Sequence, residues 1–392
     1  MVDFSQIGYC TNVHAGADLA TTRANLEKYA LDVKRRVSPN GPMGVGLWLS
    51  ANSADTLQRE GLGAEFRAWL NDVGLVPYTF NGFPFGDFHS DVVKHRVYEP
   101  TWWDAARFSY TAGLIAIQNG LLPPGMNGSV STLPIAWGHP RPPDGNLEIA
   151  ALLLRTVANH LKSLEREQGR FICLCLEPEP GCVLQRSEDV VRFFHDYLLR
   201  GGNEETTRRY IRVCHDVCHS VVMCESQAEV FRAYHNAGIA VGKVQISSAV
   251  VTPPLDNSAE DQRANSLAQL AEFREPRYLH QTTVQSAAND YAFYEDLPLA
   301  LQTVADPKQA RGTWRVHFHV PIYLERFGHL LASRSAILEC LKAAKQYSDV
   351  KHFEVETYAW GVLPPELRQP DLAAGIADEL KWYISCLQGE SP

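Results

Sequence analysis

Along the chain, short apolar runs alternate with longer stretches in which apolar residues recur every three or four positions. Runs of the first kind predict buried strands, and the longer stretches predict amphipathic helices. The strand-type runs are Ile7 to Asn12, Gly44 to Leu49, Val76 to Asn81, Ser129 to Ile135, Phe171 to Glu177, Ile211 to Asp216, Val241 to Ser247 and His352 to Thr357. Helical periodicity covers Thr22 to Arg36, Leu57 to Val73, Thr101 to Gly120, Leu147 to Gln168, Ser187 to Leu199, Gln227 to Ala237 and Ser333 to Ser348. Strands separated by helices in this way predict a (β/α)8 TIM barrel whose chemistry lies at the carboxyl ends of the strands. A doubly wound open sheet is the alternative, but no glycine-rich phosphate fingerprint follows the first strand. Residues 250–326 exceed what a minimal barrel needs. They are read as an insertion after the seventh strand, inside a single domain, able to form a hairpin or lid over the barrel mouth.

The ends of the strand-type runs carry the candidate chemistry. In Phe171-Ile-Cys-Leu-Cys-Leu-Glu177-Pro-Glu179, alternation puts Cys173, Cys175 and Glu177 on one face, so an inward-facing acid closes the run. Taken alone, such a glutamate is more often a solvated loop carboxylate. The arrangement repeats, however. Ile211 to Asp216 also ends in an acid, with His219 three residues on, and in His352-Phe-Glu-Val-Glu356 the two glutamates share a face. Within Thr313 to Pro321 the same alternation puts His317 and His319 together. Carboxylates and imidazoles converging from separate strand ends form a ligand set for Mn, Mg, Co or Zn.

Composition narrows the partners. The chain has 392 residues, 45% of them hydrophobic and 21% charged, with a net charge of -9, which suits a globular protein acting on a small molecule better than a nucleic-acid binder. Neither an export-signal pattern at Met1 to Gly8 nor a membrane-spanning run is evident, so a cytoplasmic location is expected. The nine cysteines fit reduced core residues. A structural zinc site on Cys214, Cys218 and Cys224 with His215 and His219 lacks the paired-knuckle spacing such sites use.

The series Leu-Glu177-Pro, His-Asp216-Val-Cys-His219 and Val-Glu356-Thr-Tyr resembles the xylose isomerase-like barrel superfamily of sugar isomerases, epimerases and apurinic-site endonucleases. More narrowly, Gly8-Tyr-Cys-Thr-Asn-Val-His14, Phe80-Asn-Gly-Phe-Pro-Phe85, Tyr278-Leu-His-Gln-Thr and Val316-His-Phe-His-Val320 resemble the EboE family of metabolite traffic proteins. The resemblance implies that Glu177 and Glu356 bind the metal and act as acid or base, that Asp216 is a pure ligand, and that His219 contacts substrate. One departure stands out. Gln245 occupies the seventh-strand position where the superfamily usually has a metal-binding histidine, so either its amide oxygen or an imidazole of His317 or His319 completes the set. His14, Asn81, Trp137 and His280 are further expected substrate contacts at the same end of the barrel. Lys94-His95-Arg96-Val-Tyr98 is read either as a phosphate grip or as a solvated helix start.

The expected chemistry is metal-assisted proton transfer beside a carbonyl, as in an isomerase or epimerase, with no redox cofactor. The alternatives are endonuclease-type phosphodiester hydrolysis and a non-catalytic metabolite-binding barrel.

Overall fold

A computed structural model describes residues 6–389; the first residues of the segment read above for an export signal lie outside them. Eight parallel strands form one sheet: β1 (Ile7–Tyr9), β2 (Met43–Trp48), β3 (Leu75–Asn81), β4 (Gly128–Thr132), β5 (Ile172–Leu176), β6 (Ile211–Asp216), β7 (Val241–Ile246) and, much later, β14 (His352–Val355). Each strand neighbours the next in sequence, and β14 pairs with both β7 and β1. A single parallel bridge between Cys10 and Gly46 joins the first and second strands, closing the barrel. Helices pack around it, so this is a (β/α)8 TIM barrel.

Residues between β7 and β14 build a second sheet, entirely antiparallel, from β8 (Val250–Val251), β9 (Thr282–Gln285), β10 (Tyr291–Tyr294), β11 (Thr313–Val316), β12 (Arg326–Phe327) and β13 (Leu330–Ala332). Here the strand expected to carry both histidines is shorter than alternation predicts. It stops at Val316, because Phe318 N–H turns back to Val316 O at 2.9 Å, while Val320 N–H bonds to Ser248 O at 3.0 Å. Phe318 is drawn to the opposite side by Phe273, 4.9 Å between ring centroids, which leaves His317 and His319 on a common side although they lie beyond the ladder. The helix expected over Leu57 to Val73 is two, Ala51–Arg59 and Gly63–Val73, interrupted at Gly61, whose φ is 67°. Among the described residues no helix is long and apolar enough to cross a membrane.

Inside the barrel, below the candidate centre, Lys243 and Glu354 form an ion pair of 2.7 Å with both side chains fully buried. Strand β2 makes room for it. A Cβ at Gly46 would overlap the Glu354 carboxylate, so only glycine fits there. Removing one member of a buried pair strands the other charge in the core. Lys243→Met should therefore lower unfolding free energy by about 3–5 kcal/mol in urea titrations, and adding Glu354→Gln should recover much of that loss. Equal stability of the single variant and the parent would show that the pair is energetically idle.

Candidate metal centre

Backbone bonds at the strand ends aim three acids inward. Glu177 follows β5 and stays in the ladder through its N–H to Thr132 O at 3.0 Å. Glu356 follows β14 and bonds through its N–H to Ile246 O at 3.0 Å. Asp216 ends β6 and caps the short helix Val217–Val222, its Oδ1 accepting from His219 N–H at 2.9 Å and from the Ser247 hydroxyl at 2.8 Å. That cap fixes His219 one turn into the helix, beside the acid. Glu177, Asp216 and Glu356 each offer an oxygen within 4.8 Å of the others, and all three are buried.

Such crowding is electrostatically costly. Burial, followed by the Asp216 charge, pushes Glu177 up to about 8, and burial with the Glu177 charge holds Glu356 well above the usual carboxylate range. Lys243 opposes both shifts from below, but it is already paired with Glu354. Asn12 and Asn81 donate to Glu356 Oε1 at 2.7 and 3.0 Å, which orients the carboxylate without neutralising it.

Four buried ligand-type atoms near this point have no hydrogen-bond partner: Glu177 Oε2, Asp216 Oδ2, Gln245 Oε1 and His319 Nε2. Buried polar atoms are rarely left so. Asp216 and Gln245 are partners in the β6–β7 register. His319 donates from Nδ1 to Glu356 O at 2.7 Å, which leaves an Nε2 lone pair 4.0 Å from Asp216 Oδ2. Burial keeps this imidazole neutral by lowering its pKa to about 4. Oxygen acceptors with one neutral imidazole fit a divalent cation of the Mg, Mn, Co or Zn type. The residues able to hold it are Glu177, Asp216, Glu356 and His319, with Gln245 alongside.

A cleft opens over the acids. Phe83, Phe88, Tyr278 and Tyr358 wall it with aromatic surface, and Asn81, His219 and His317 also reach it. Three expected substrate contacts do not line it. His14 stacks on Tyr29 at 4.6 Å and bonds the Tyr9 hydroxyl at 2.8 Å, in a separate recess beside Trp48. Trp137 packs behind Tyr98, 5.2 Å away, and faces an outer groove with His139. Both ring nitrogens of His280 are taken, by His317 O at 3.0 Å and Glu275 at 2.8 Å, leaving none for a ligand. Lys94 is likewise committed, to Asp296 at 2.5 Å.

Glu179, Gln281 and Asn12 belong to the cleft or its support although the sequence reading assigned them no role, and Tyr98, read only within a phosphate grip or helix start, joins them. Tyr98 and Gln281 donate to Glu179 Oε1 at 2.8 and 3.0 Å, while burial raises Glu179 to about 7. The available signal for Glu179 was its spacing, since it follows Glu177 by two residues between two prolines.

No protein-family model matches the chain, and no curated protein does. Solved structures do match in fold. A xylose isomerase-like TIM barrel protein from Mycobacterium smegmatis in complex with magnesium is 12% identical, with 100% of this chain and 99% of that one covered and a TM-score of 0.51. The 3-keto-D-glucoside 4-epimerase YcjR from E. coli is also 12% identical, over 97% and 99% of the two chains, at a TM-score of 0.46. The IOLI protein with a bound zinc atom is 12% identical over 98% and 99%, at 0.45. At such identities the likeness establishes the barrel fold alone.

The pH dependence of stability should expose the uncompensated acids. Between pH 7 and about 8 the buried histidines, their pKa values lowered, are neutral in the fold and mostly neutral in the unfolded chain. Glu177 and Glu356, raised, are still protonated in the fold but ionised when unfolded. Their contribution is thus lost as pH rises through this window. The melting temperature of chelator-treated protein should fall by a few degrees from pH 7 to 8, and millimolar Mn or Mg should restore it. A flat profile with no metal response would mean that the acids carry no shared cation.

Proposed function

We propose that this protein is a metal-dependent enzyme of isomerase or epimerase type, moving a proton on a small polyhydroxylated or carbonyl-bearing metabolite. The observation that carries this reading is the convergence of three buried carboxylates, with orphaned oxygens, at the floor of a cleft walled by aromatic side chains. A divalent cation bound there supplies Lewis-acid polarisation of a carbonyl and neutralises charge that develops when the neighbouring carbon loses its proton. Glu177, Asp216 and Glu356 hold it, and His319 takes the part that Gln245 leaves open on β7.

Glu177 and Glu356 reach the cleft from β5 and β14, separate parts of the barrel wall, so they can address different faces of one substrate. A carboxyl held near neutral pKa by burial can give a proton as readily as take one, which suits a reversible transfer. Asn12 and Asn81 fix the Glu356 carboxylate in place through the transfer. Aromatic walls exclude water from the reacting carbon. The resemblance to EboE adds a setting in the handling of secondary metabolites.

Phosphodiester hydrolysis is the second reading, favoured by the imidazoles clustered beside the acids. It lacks a phosphate grip, because Lys94 in the cleft wall is tied to Asp296.

In deuterium oxide, the metal-loaded protein should introduce deuterium at the carbon beside the carbonyl of a reactive sugar or cyclitol. Glu356→Gln should slow this exchange at least a hundredfold with an unchanged circular dichroism spectrum. Cleavage of an abasic-site oligonucleotide without exchange into any polyol tested would replace the first reading with the second.

A further inference from the structure

A further buried acid lies outside the cleft. Glu379 belongs to the helix Leu372–Gln388, which follows the last barrel strand, and its side chain is 1% exposed. Its carboxylate accepts three hydrogen bonds. Oε1 takes the Thr357 hydroxyl at 2.6 Å and the Ile322 N–H at 3.1 Å, and Oε2 takes the Trp360 indole N–H at 3.2 Å. None of these partners is a cation. Burial raises Glu379 to about 7 although all three donors pull it down, so an ionised carboxylate here costs stability. A residue kept at such a cost points to a role beyond bracing the fold.

The three donors belong to the two loops that serve the centre. Thr357 directly follows Glu356, and Trp360 lies in the turn Tyr358–Val362, whose Tyr358 walls the cleft. Ile322 comes three residues after His319. On the other side of the same backbone, His319 Nδ1 donates to Glu356 O at 2.7 Å, so the junction of Glu356 and Thr357 is held from both directions. The helix is shaped for this contact. Gly375 stands one turn before Glu379, and a Cβ there would come within 2.7 Å of the Trp360 ring, so glycine lets the indole lie close enough to reach the acid. The choice of a carboxylate also matters, because a glutamine amide would have to turn its NH2 toward either the Ile322 or the Trp360 N–H and set donor against donor.

We propose that Glu379 is a positioning residue for the metal centre: through Thr357, Trp360 and Ile322 it sets the spacing of Glu356 from His319 and the pose of Tyr358 over the cleft. The proposal rests on the reading of Glu356 and His319 as cation ligands. Glu379 itself touches neither. A mere brace would alter stability alone, whereas a positioning residue alters affinity at the centre of a folded protein.

Manganese affinity, followed by the electron paramagnetic resonance signal of the free ion over chelator-treated and reloaded protein, separates the two. Glu379→Gln should keep the circular dichroism spectrum of the parent and bind Mn(II) about tenfold more weakly. Thr357→Val, which removes one donor and leaves the acid in place, should weaken binding in the same direction by a smaller factor; it serves if Glu379→Gln misfolds. A folded Glu379→Gln with the parent's affinity, and only its melting temperature changed, would overturn the proposal. Should the parent take up no manganese, the metal reading fails, and positioning is then read at the His319 ring. Its Nδ1 hydrogen should exchange with solvent about tenfold faster in Glu379→Gln by nitrogen-15 NMR. Equal exchange in variant and parent would overturn the proposal on that arm as well.

Discussion

Mutual repulsion among Glu177, Asp216 and Glu356 is the constraint around which this molecule is organised. Three carboxylates brought together out of water demand positive charge, and the nearest protein cation, Lys243, is already spent on Glu354. The barrel makes that demand geometrically stable. Every strand end is tied to its neighbour, so the acids cannot swing apart to relieve the crowding, and the orphaned oxygens stay aimed inward. In the metal-free chain protonation relieves the crowding, and a bound cation would relieve it while leaving the acids ionised.

The second sheet bears directly on the centre. It delivers His317 and His319 from a turn just past β11, and Gln281 from the residue before β9, to the same mouth where β5, β6 and β14 end. His280, although outside the cleft, supports this arrangement by bonding the His317 carbonyl on one side and Glu275 on the other. The imidazoles are thus held by a framework separate from the one that holds the acids. Each framework fixes the orientation of its own donors, and the site is the seam between them.

Alternation along the chain made the barrel strands legible, because their helix-facing sides are apolar and several runs close on a polar residue at the mouth. Glu177, Asp216 and Glu356 were readable for the same reason: period-two patterning states which way a strand's last residue points. His14, Trp137 and His280 show where that reasoning stops. They also follow strand-like runs, but a loop residue's direction is set by its tertiary partners, Tyr29, Tyr98 and Glu275 here, and no local pattern reports these. The antiparallel sheet was only partly visible, since β8, β12 and β13 have two or three residues each and owe their existence to distant pairings. Glu179 was in plain view between two prolines, yet its place in the cleft depends on Tyr98 and Gln281, far away in sequence.

The hydrogen bond from Asn12 to Glu356 spans 344 residues of chain. Closing a loop of that length carries a large entropic toll that only docking of the whole barrel offsets. The centre is consequently among the last features to come together as the polypeptide emerges and folds. A nascent chain can complete β1 through β7 and still present only two of the three acids, with Glu356 not yet delivered. Cation capture by the full set would thus follow barrel closure and not guide it.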